Sequence, residues 1–152
     1  MSEKWAQRCL EGGTSILLSS VDPKGTPACC RAIAVNSTDG FQTVTVYVPV
    51  ATSREMIANV ASTRRMALSV SHPLDYETVQ LKGTTTGVRL ARDDEQAFVE
   101  TRLLEFADVL SEIGLARKFT RAITHWPAFA IDMKVEHVFD QTPGPKAGSV
   151  MP

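Results

Sequence analysis

The chain has 152 residues, of which 43% are hydrophobic and 22% charged, with a formal net charge of -1. This length and composition favour a single globular domain over residues 1–152. The near-neutral charge, without a long basic run, argues against nucleic acid as a partner. No apolar stretch approaches the roughly 20 residues that cross a bilayer, and the N-terminus lacks a signal-peptide core. We therefore expect a cytoplasmic protein without a membrane partner.

The three cysteines, Cys9, Cys29 and Cys30, form no C-x-x-C pair. Their odd number and the adjacent placement of two of them do not fit a disulfide framework or a zinc site. We expect free thiols in a reducing compartment and no bound metal.

The first third of the chain reads as β structure after a short N-terminal helix within residues 1–13. Apolar and alternating patterns predict strands over Ser15–Val21, Pro27–Val35 and Phe41–Val48. The second of these strands has one face of small residues, which lets a backbone or a flat ligand pack closely against it. Turn sequences rich in Pro, Asp and Gly separate the strands.

A helix of about ten residues is predicted to begin at Thr52–Ser53, where Thr52 and Glu55 form a capping-box pattern. A buried strand follows over Met66–Ser71, and then a long strand over Tyr76–Leu90. Gly83 and Gly87 within that long strand suggest bulges or bends of the kind that barrels use at corners.

The last part of the chain combines a helical excursion with one more strand. Apolar residues at helical spacing predict a helix over Asp93–Leu110 and a shorter piece over Ala116–Thr124, with Phe98, Phe106 and Phe119 in the core. Phe129–Phe139 alternates as a strand, and residues 141–152 read as an irregular tail. Short connections favour antiparallel pairing, so the pattern predicts a mainly β fold with flanking helices and a six-stranded antiparallel barrel.

Two arginines suggest an anion site. A helix N-terminus attracts anions, and here its first turn adds the Ser53 hydroxyl and the Arg54 guanidinium. Arg31 lies in a mostly apolar strand, where a buried charge needs a partner. That partner is either a phosphate shared with Arg54 or a carboxylate such as Glu77 or Asp132, and the sequence leaves both open.

The order of these features resembles the pyridoxamine 5'-phosphate oxidase-like family of FMN-binding split barrels. The resemblance covers about residues 14–144 and rests on four segments in order: Arg31–Val35, Thr52–Arg54, Asn59 with Met66–Leu68, and Val79–Gly83. The close of the chain from Phe139 to Gly144 is also similar to that of many such proteins. The resemblance implies a six-stranded split β-barrel that binds FMN.

The resemblance also implies roles for individual residues. Arg31, Ser53 and Arg54 would hold the FMN phosphate. The backbone of Ala32 and Ile33 would line the flavin ring, as would the end of the hairpin at Tyr47, Val48 and Pro49. Thr78 or Gln80 would reach the polar edge of the ring. The family's members are homodimers with two flavin sites at the interface, so a residue of a second copy near Trp126 or Phe139 would cover the ring.

The chain departs from the family's pattern at three places. Glu55 and Asn36 stand where members of the family often have lysines near the phosphate. A Pro/Gly-rich tail stands in place of the C-terminal Arg-Leu sequence of the true oxidases. Pyridoxamine phosphate is therefore not the expected substrate. Because flavin supplies the redox chemistry, the expectation is an oxidoreductase that acts on another small molecule without a dedicated catalytic constellation.

Two other functions remain open at this point. A protein of the same fold could bind haem or another cofactor, with His72, His125 or His137 as the axial ligand. Alternatively, the chain could be a cofactor-free interaction protein, which the loss of positive charge at Glu55 and Asn36 would suit.

Overall fold

A computed structural model describes residues 3–152, with side chains from residue 4 onward, so residues 1 and 2 of the predicted N-terminal segment lie outside the described residues. Eight strands occur in this described range: β1 Ser15–Val21, β2 Pro27–Ala32, β3 Ala34–Asn36, β4 Thr43–Pro49, β5 Arg65–Ser71, β6 Thr78–Leu90, β7 Ala128–Asp140 and β8 Ser149–Val150. Four α-helices occur in the same range: α1 Glu3–Leu10, α2 Arg54–Thr63, α3 Gln96–Glu112 and α4 Arg117–Arg121. Short 3-10 turns over Val50–Thr52 and Asp93–Glu95 precede α2 and α3.

All strand pairs are antiparallel and follow the order β2-β1-β5-β6-β7-β4-β3, with β8 added to β7. The two ends of this path, β2 and β3, are consecutive in the chain and are separated by Ile33 alone. A single stretch of backbone therefore joins the two ends of the sheet, which curls into a barrel. The predicted mainly β, antiparallel architecture with flanking helices is confirmed.

The predicted number of six strands is wrong. The strand expected over Pro27–Val35 is divided at Ile33, because its first part pairs with β1 and its second part with β4. The side chains change faces there: Ala32 and Val35 both pack in the barrel interior, whereas Ile33 and Ala34 pack outside it. The tail, expected to be irregular, adds the two-residue strand β8.

Two hydrophobic clusters hold the fold together. The larger fills the barrel and is centred on side chains that are fully buried, among them Leu18, Val46, Leu68, Leu81 and Ile131. The smaller joins the outside of the barrel to α3; it consists of Ile33, Ala34, Tyr47, Val99, Leu103 and Ala130. Burial of apolar surface at about 25 cal/mol per Å² makes both clusters the main stabilising contribution.

Two local predictions are also wrong. Ser53, not Thr52, precedes the first turn of α2, and no side chain caps that turn. The turn before α3 is held instead by Glu95, whose carboxylate accepts a hydrogen bond of 2.7 Å from the Arg92 backbone amide. Phe119, expected in the core, is 59% exposed because α4 turns that face away from the barrel.

Within residues 3–152, no helix is long and apolar enough to span a membrane.

Candidate functional site

A cleft of about 330 Å³ opens beside the second half of β2. Its walls come from three parts of the chain: β2 with the residue that follows it, the end of β4 with the turn before α2, and the segment between α4 and β7. The lining residues are Cys29, Cys30, Arg31, Ile33, Pro49, Thr52, Ile123 and Thr124.

Among the described residues that line the cleft, Arg31 alone is charged. Its side chain is half-buried, its Nη1 donates a hydrogen bond of 3.0 Å to Ser15 Oγ, and its guanidinium lies 5.6 Å from the centre of the Phe106 ring. A hydroxyl and an aromatic face orient the guanidinium but do not neutralise it. Within residues 4–152, no carboxylate lies within ion-pair distance of Arg31.

The two acidic partners considered for Arg31 are engaged elsewhere. Glu77 accepts a hydrogen bond of 2.8 Å from Arg8, and Asp132 accepts one of 2.7 Å from the hydroxyl of Thr45. The predicted alternative, an ion pair of Arg31 with Glu77 or Asp132, is therefore wrong. Arg31 keeps an uncompensated positive charge at the cleft.

The N-terminus of α2 directly follows Thr52 of the cleft wall. Ser53 is fully buried, and its hydroxyl makes no hydrogen bond within the described part of the chain. Because the first amides of a helix lack intrahelical acceptors, this uncapped turn also leaves backbone donors open. Arg54 is exposed and forms no ion pair with residues 4–152. Thus a buried hydroxyl, free amides and a second guanidinium lie together at this helix start.

These groups fit a phosphate. A phosphate monoester dianion would accept hydrogen bonds from the α2 amides, from the orphaned Ser53 hydroxyl and from an arginine. The helix packs against β1 and β2, so its N-terminal turn is held near the strand that carries Arg31. The exposed carboxylate of Glu55 lies in the same first turn and reduces the local positive charge.

The residues expected along the flavin ring divide into two groups. Ile33 and Pro49 line the cleft. Ala32 and Val48 point into the barrel, where they are 3% and 0% exposed, so only their backbones could face a ligand. Ile123 and Thr124 also line the cleft, beside Ile33 and Pro49. Sequence reasoning missed them because they follow Ile33 by about 90 residues in the chain and reach the cleft only through the fold.

Tyr47 belongs to a buried network and not to the cleft wall. Its hydroxyl donates to Glu95 Oε1 at 2.9 Å, and Arg89 holds the same carboxylate with two hydrogen bonds of 2.7 Å. The Arg89 guanidinium lowers the pKa of Glu95 to about 2, and burial beside this carboxylate raises the pKa of Tyr47 to about 12. The backbone carbonyl of Tyr47 accepts from Ile33 N at 2.9 Å, which fixes the cleft wall.

Thr78 and Gln80 lie away from the cleft on the outer face of the sheet. Arg31, Leu17, Ser69 and Gln80 are consecutive partners across β2, β1, β5 and β6. Three strand spacings of about 4.8 Å place Gln80 roughly 14 Å from Arg31. Gln80 donates to Ser69 Oγ at 3.2 Å, while Thr78 donates to Ser71 Oγ at 3.0 Å.

The three histidines have different surroundings. His72 Nε2 lies 3.0 Å from the Arg8 carbonyl, and His125 Nδ1 lies 3.1 Å from the Ile123 carbonyl. His137 is exposed and lines a groove of about 570 Å³ on the outer face of the sheet, together with Arg65 and Lys82. In the described range, no cluster of three or more His, Cys, Asp or Glu residues could hold a metal ion.

The chain shares its fold with solved structures of low sequence identity. A pyridoxamine 5'-phosphate oxidase-like protein from Lactobacillus delbrueckii is 16% identical, with a TM-score of 0.55 over 91% of this chain and 93% of its own. An FMN-binding protein from Syntrophomonas wolfei is 11% identical, with a TM-score of 0.54 over 90% and 91%. The haem storage protein HutZ from Vibrio cholerae is 10% identical, with a TM-score of 0.51 over 91% and 93%.

No family model and no curated protein sequence matches the chain. The structural likeness confirms the split-barrel fold of pyridoxamine 5'-phosphate oxidase-like proteins, which the order of sequence features predicted. Because proteins of this fold carry different cofactors, the choice of cofactor depends on the residues of this chain.

Proposed function

We propose that the chain is an FMN-binding flavoprotein, an oxidoreductase acting on a small molecule, with the cofactor's phosphate held by Arg31, Ser53, Arg54 and the first amides of α2. The observation that carries this proposal is Arg31, a half-buried guanidinium at a cleft with no carboxylate partner in the described chain. A half-buried charge without a counter-charge costs free energy unless a ligand pairs with it. The FMN-binding protein from Syntrophomonas wolfei has the same fold.

The remaining site residues would bind and orient the cofactor. Ile33 and Pro49 offer apolar contact at the cleft, and Ala32, Tyr47 and Val48 offer their backbones. Bound FMN supplies electron and hydride transfer, so the chain itself needs no nucleophile or acid-base pair. The protein's contribution is to hold the flavin and to admit a substrate beside it.

The proposal includes a homodimer with flavin sites at the interface. The row from Arg31 to Gln80 crosses the outer face of the sheet, and Leu17, the neighbour of Arg31 in this row, is 41% exposed. A second copy placed there would cover Leu17 and would bring its own Thr78 or Gln80 toward the flavin. Light scattering in solution should give the mass of two chains, and a monomeric mass at all concentrations would exclude the interface site.

The cofactor assignment is tested with the purified full-length protein. Quenching of FMN fluorescence measures affinity for the wild type, for Arg31→Gln and for the control Arg117→Gln, whose guanidinium pairs with Asp108 at 2.6 Å. We expect Arg31→Gln to weaken FMN binding by roughly 30-fold, since a charge-assisted hydrogen bond contributes about 2 kcal/mol. The control should bind FMN like the wild type.

Absence of quenching by FMN in the wild type would reject the flavin assignment. It would favour the cofactor-free interaction protein if haem also fails to bind. Equal affinities of Arg31→Gln and the wild type would show that the flavin, if bound, does not use this phosphate site.

Haem binding is a second candidate, supported by His137. This exposed histidine lines the outer groove, where Arg65 and Lys82 could pair with the carboxylates of haem. HutZ, a haem storage protein, shares the fold. Addition of haem should then give a Soret band that His137→Ala loses and the control His72→Ala keeps. No Soret band in the wild type would eliminate this candidate.

A further inference from the structure

A second concave surface lies on the other side of the α4–β7 segment from the cleft. This groove has a volume of about 400 Å³ and is lined by Glu100, Leu103, Leu104, Arg121 and His125. Its apolar lining comes from Leu103 and Leu104 of α3. Such a combination of an apolar lining with a few polar groups is typical of small-molecule sites.

The polar groups of the groove are not equivalent. Glu100 accepts a hydrogen bond of 2.8 Å from Gln96, and its other near neighbour is His125 Nε2 at 3.7 Å. Arg121 is exposed and has no carboxylate within ion-pair distance among residues 4–152. Glu100 keeps its negative charge, because Gln96 is a neutral donor, but it lies toward Gln96 and His125, whereas the Arg121 guanidinium has no such partner.

The segment that carries Arg121 offers it no acidic neighbour, since no acidic residue occurs between Ile113 and Ile131. Asp108 pairs with Arg117 at 2.6 Å and so leaves the charge of Arg121 uncompensated. The open guanidinium favours an occupant whose anionic group pairs with Arg121.

We infer that this groove binds an organic anion with an apolar body, such as an aromatic or aliphatic carboxylate, with Arg121 on the anionic group and Leu103 and Leu104 under the apolar part. Arg121 and His125 line the groove, whereas Ile123 and Thr124 of the same segment line the cleft. Leu103 and Ile33 also belong to one hydrophobic cluster. A ligand in the groove is thus a neighbour of the cleft, and its role as substrate rests on the proposed flavin site.

The inference is tested by titrating full-length protein with naphthoate and with naphthamide, its neutral amide of the same shape, using calorimetry. The wild type should bind the acid about tenfold more tightly than the amide, the ratio expected for one additional charge-assisted contact. Arg121→Gln should abolish this preference, and Arg117→Gln should keep it. Leu104→Asp, at a residue 44% exposed, should weaken binding of the acid without unfolding the chain.

Equal binding of acid and amide by the wild type, or a preference for the acid that survives Arg121→Gln, would overturn the inference. Failure of both compounds to bind would do so too. Because the titration needs no flavin, it can succeed while FMN fails to bind, and the two proposals fail separately. With FMN loaded, a naphthoate-induced change in the flavin spectrum that Arg121→Gln removes would support the role as a substrate site.

Discussion

Arg31 and Ser53 show how far individual residues of the site could be predicted. An arginine in an apolar strand and a Ser-Arg pair at a helix start are visible in the sequence, and the structure leaves Arg31 without a carboxylate partner and the Ser53 hydroxyl without a hydrogen bond in the described chain. The sequence could not show that Thr52 fails to cap α2, or that Tyr47 turns toward Glu95. Both depend on contacts with residues far away in the chain, which no local pattern contains.

Ser53 provides a test in which stability and ligand affinity change in different directions. Its hydroxyl is buried without a hydrogen bond, so Ser53→Ala removes a desolvated polar group and should leave the free protein as stable or up to about 1 kcal/mol more stable. FMN affinity should fall by about fivefold if the hydroxyl contacts the phosphate. Thermal melting and fluorescence quenching measure the two effects.

The matched control is Ser20→Ala in β1. The Ser20 hydroxyl is also buried and also makes no hydrogen bond in the described chain. This variant should have the same effect on melting and none on FMN affinity. If both variants bind FMN like the wild type, Ser53 has no part in the phosphate site.

The three thiols should differ in reactivity. Cys29 is exposed at the cleft, whereas burial raises the pKa of Cys30 to about 11 and that of Cys9 to about 12. Because the thiolate is the reactive form, iodoacetamide should modify Cys29 first, as mass spectrometry of peptides will show. Bound FMN should slow this reaction, and modification of Cys9 before Cys29 would contradict the described burial.

At the scale of elements, the strand pattern predicted most boundaries within a few residues. β1 begins and ends as expected, because the apolar run Ile16–Leu18 and the Asp22–Gly25 turn are local signals. The division between β2 and β3 was not predictable, since it arises when one strand exchanges β1 for β4 as its partner. The exposure of Phe119 was missed for a related reason, because helical spacing does not show which face meets the barrel.

Gly83 and Gly87, both predicted as bend positions in β6, should respond differently to substitution. A Cβ at Gly83 would lie 1.9 Å from the carbonyl oxygen of Lys134, a backbone atom that cannot easily move. Gly83→Ala should therefore destabilise the fold by about 2–3 kcal/mol. A Cβ at Gly87 would meet Asp132 at 3.6 Å, an ordinary contact.

Urea denaturation of the two glycine variants measures this difference. Gly87→Ala should remain within about 0.5 kcal/mol of the wild type. Equal losses for both variants would mean that strand conformation, and not the approach of β7 to Gly83, requires glycine.

At the scale of the whole molecule, the Glu95 network sets the response to acid. The folded-state pKa of Glu95 is lowered from 4.5 to about 2, so its stabilising contribution is present above about pH 4.5 and is lost as the pH falls toward 2. The loss should amount to about 2 kcal/mol, reduced by solvent screening because the Arg89 side chain is 38% exposed.

Glu95→Gln should remove this dependence. The variant keeps a hydrogen-bonding side chain but not the titrating charge, so it should be less stable than the wild type at pH 7 and nearly equal to it at pH 2. Urea denaturation at several pH values measures both curves. Parallel curves for the two proteins between pH 5 and 2 would show that Glu95 does not control acid stability.

The position of β7 has a consequence for synthesis on the ribosome. This strand, the last long one in the chain, lies between β6 and β4 and pairs with both. Until Ala128–Asp140 has left the exit tunnel, both neighbours expose unpaired backbone along the edges that β7 later fills. Open edges of this kind pair readily with other chains. The nascent protein is therefore most vulnerable to aggregation just before β7 emerges, and chaperone binding in that interval would protect it.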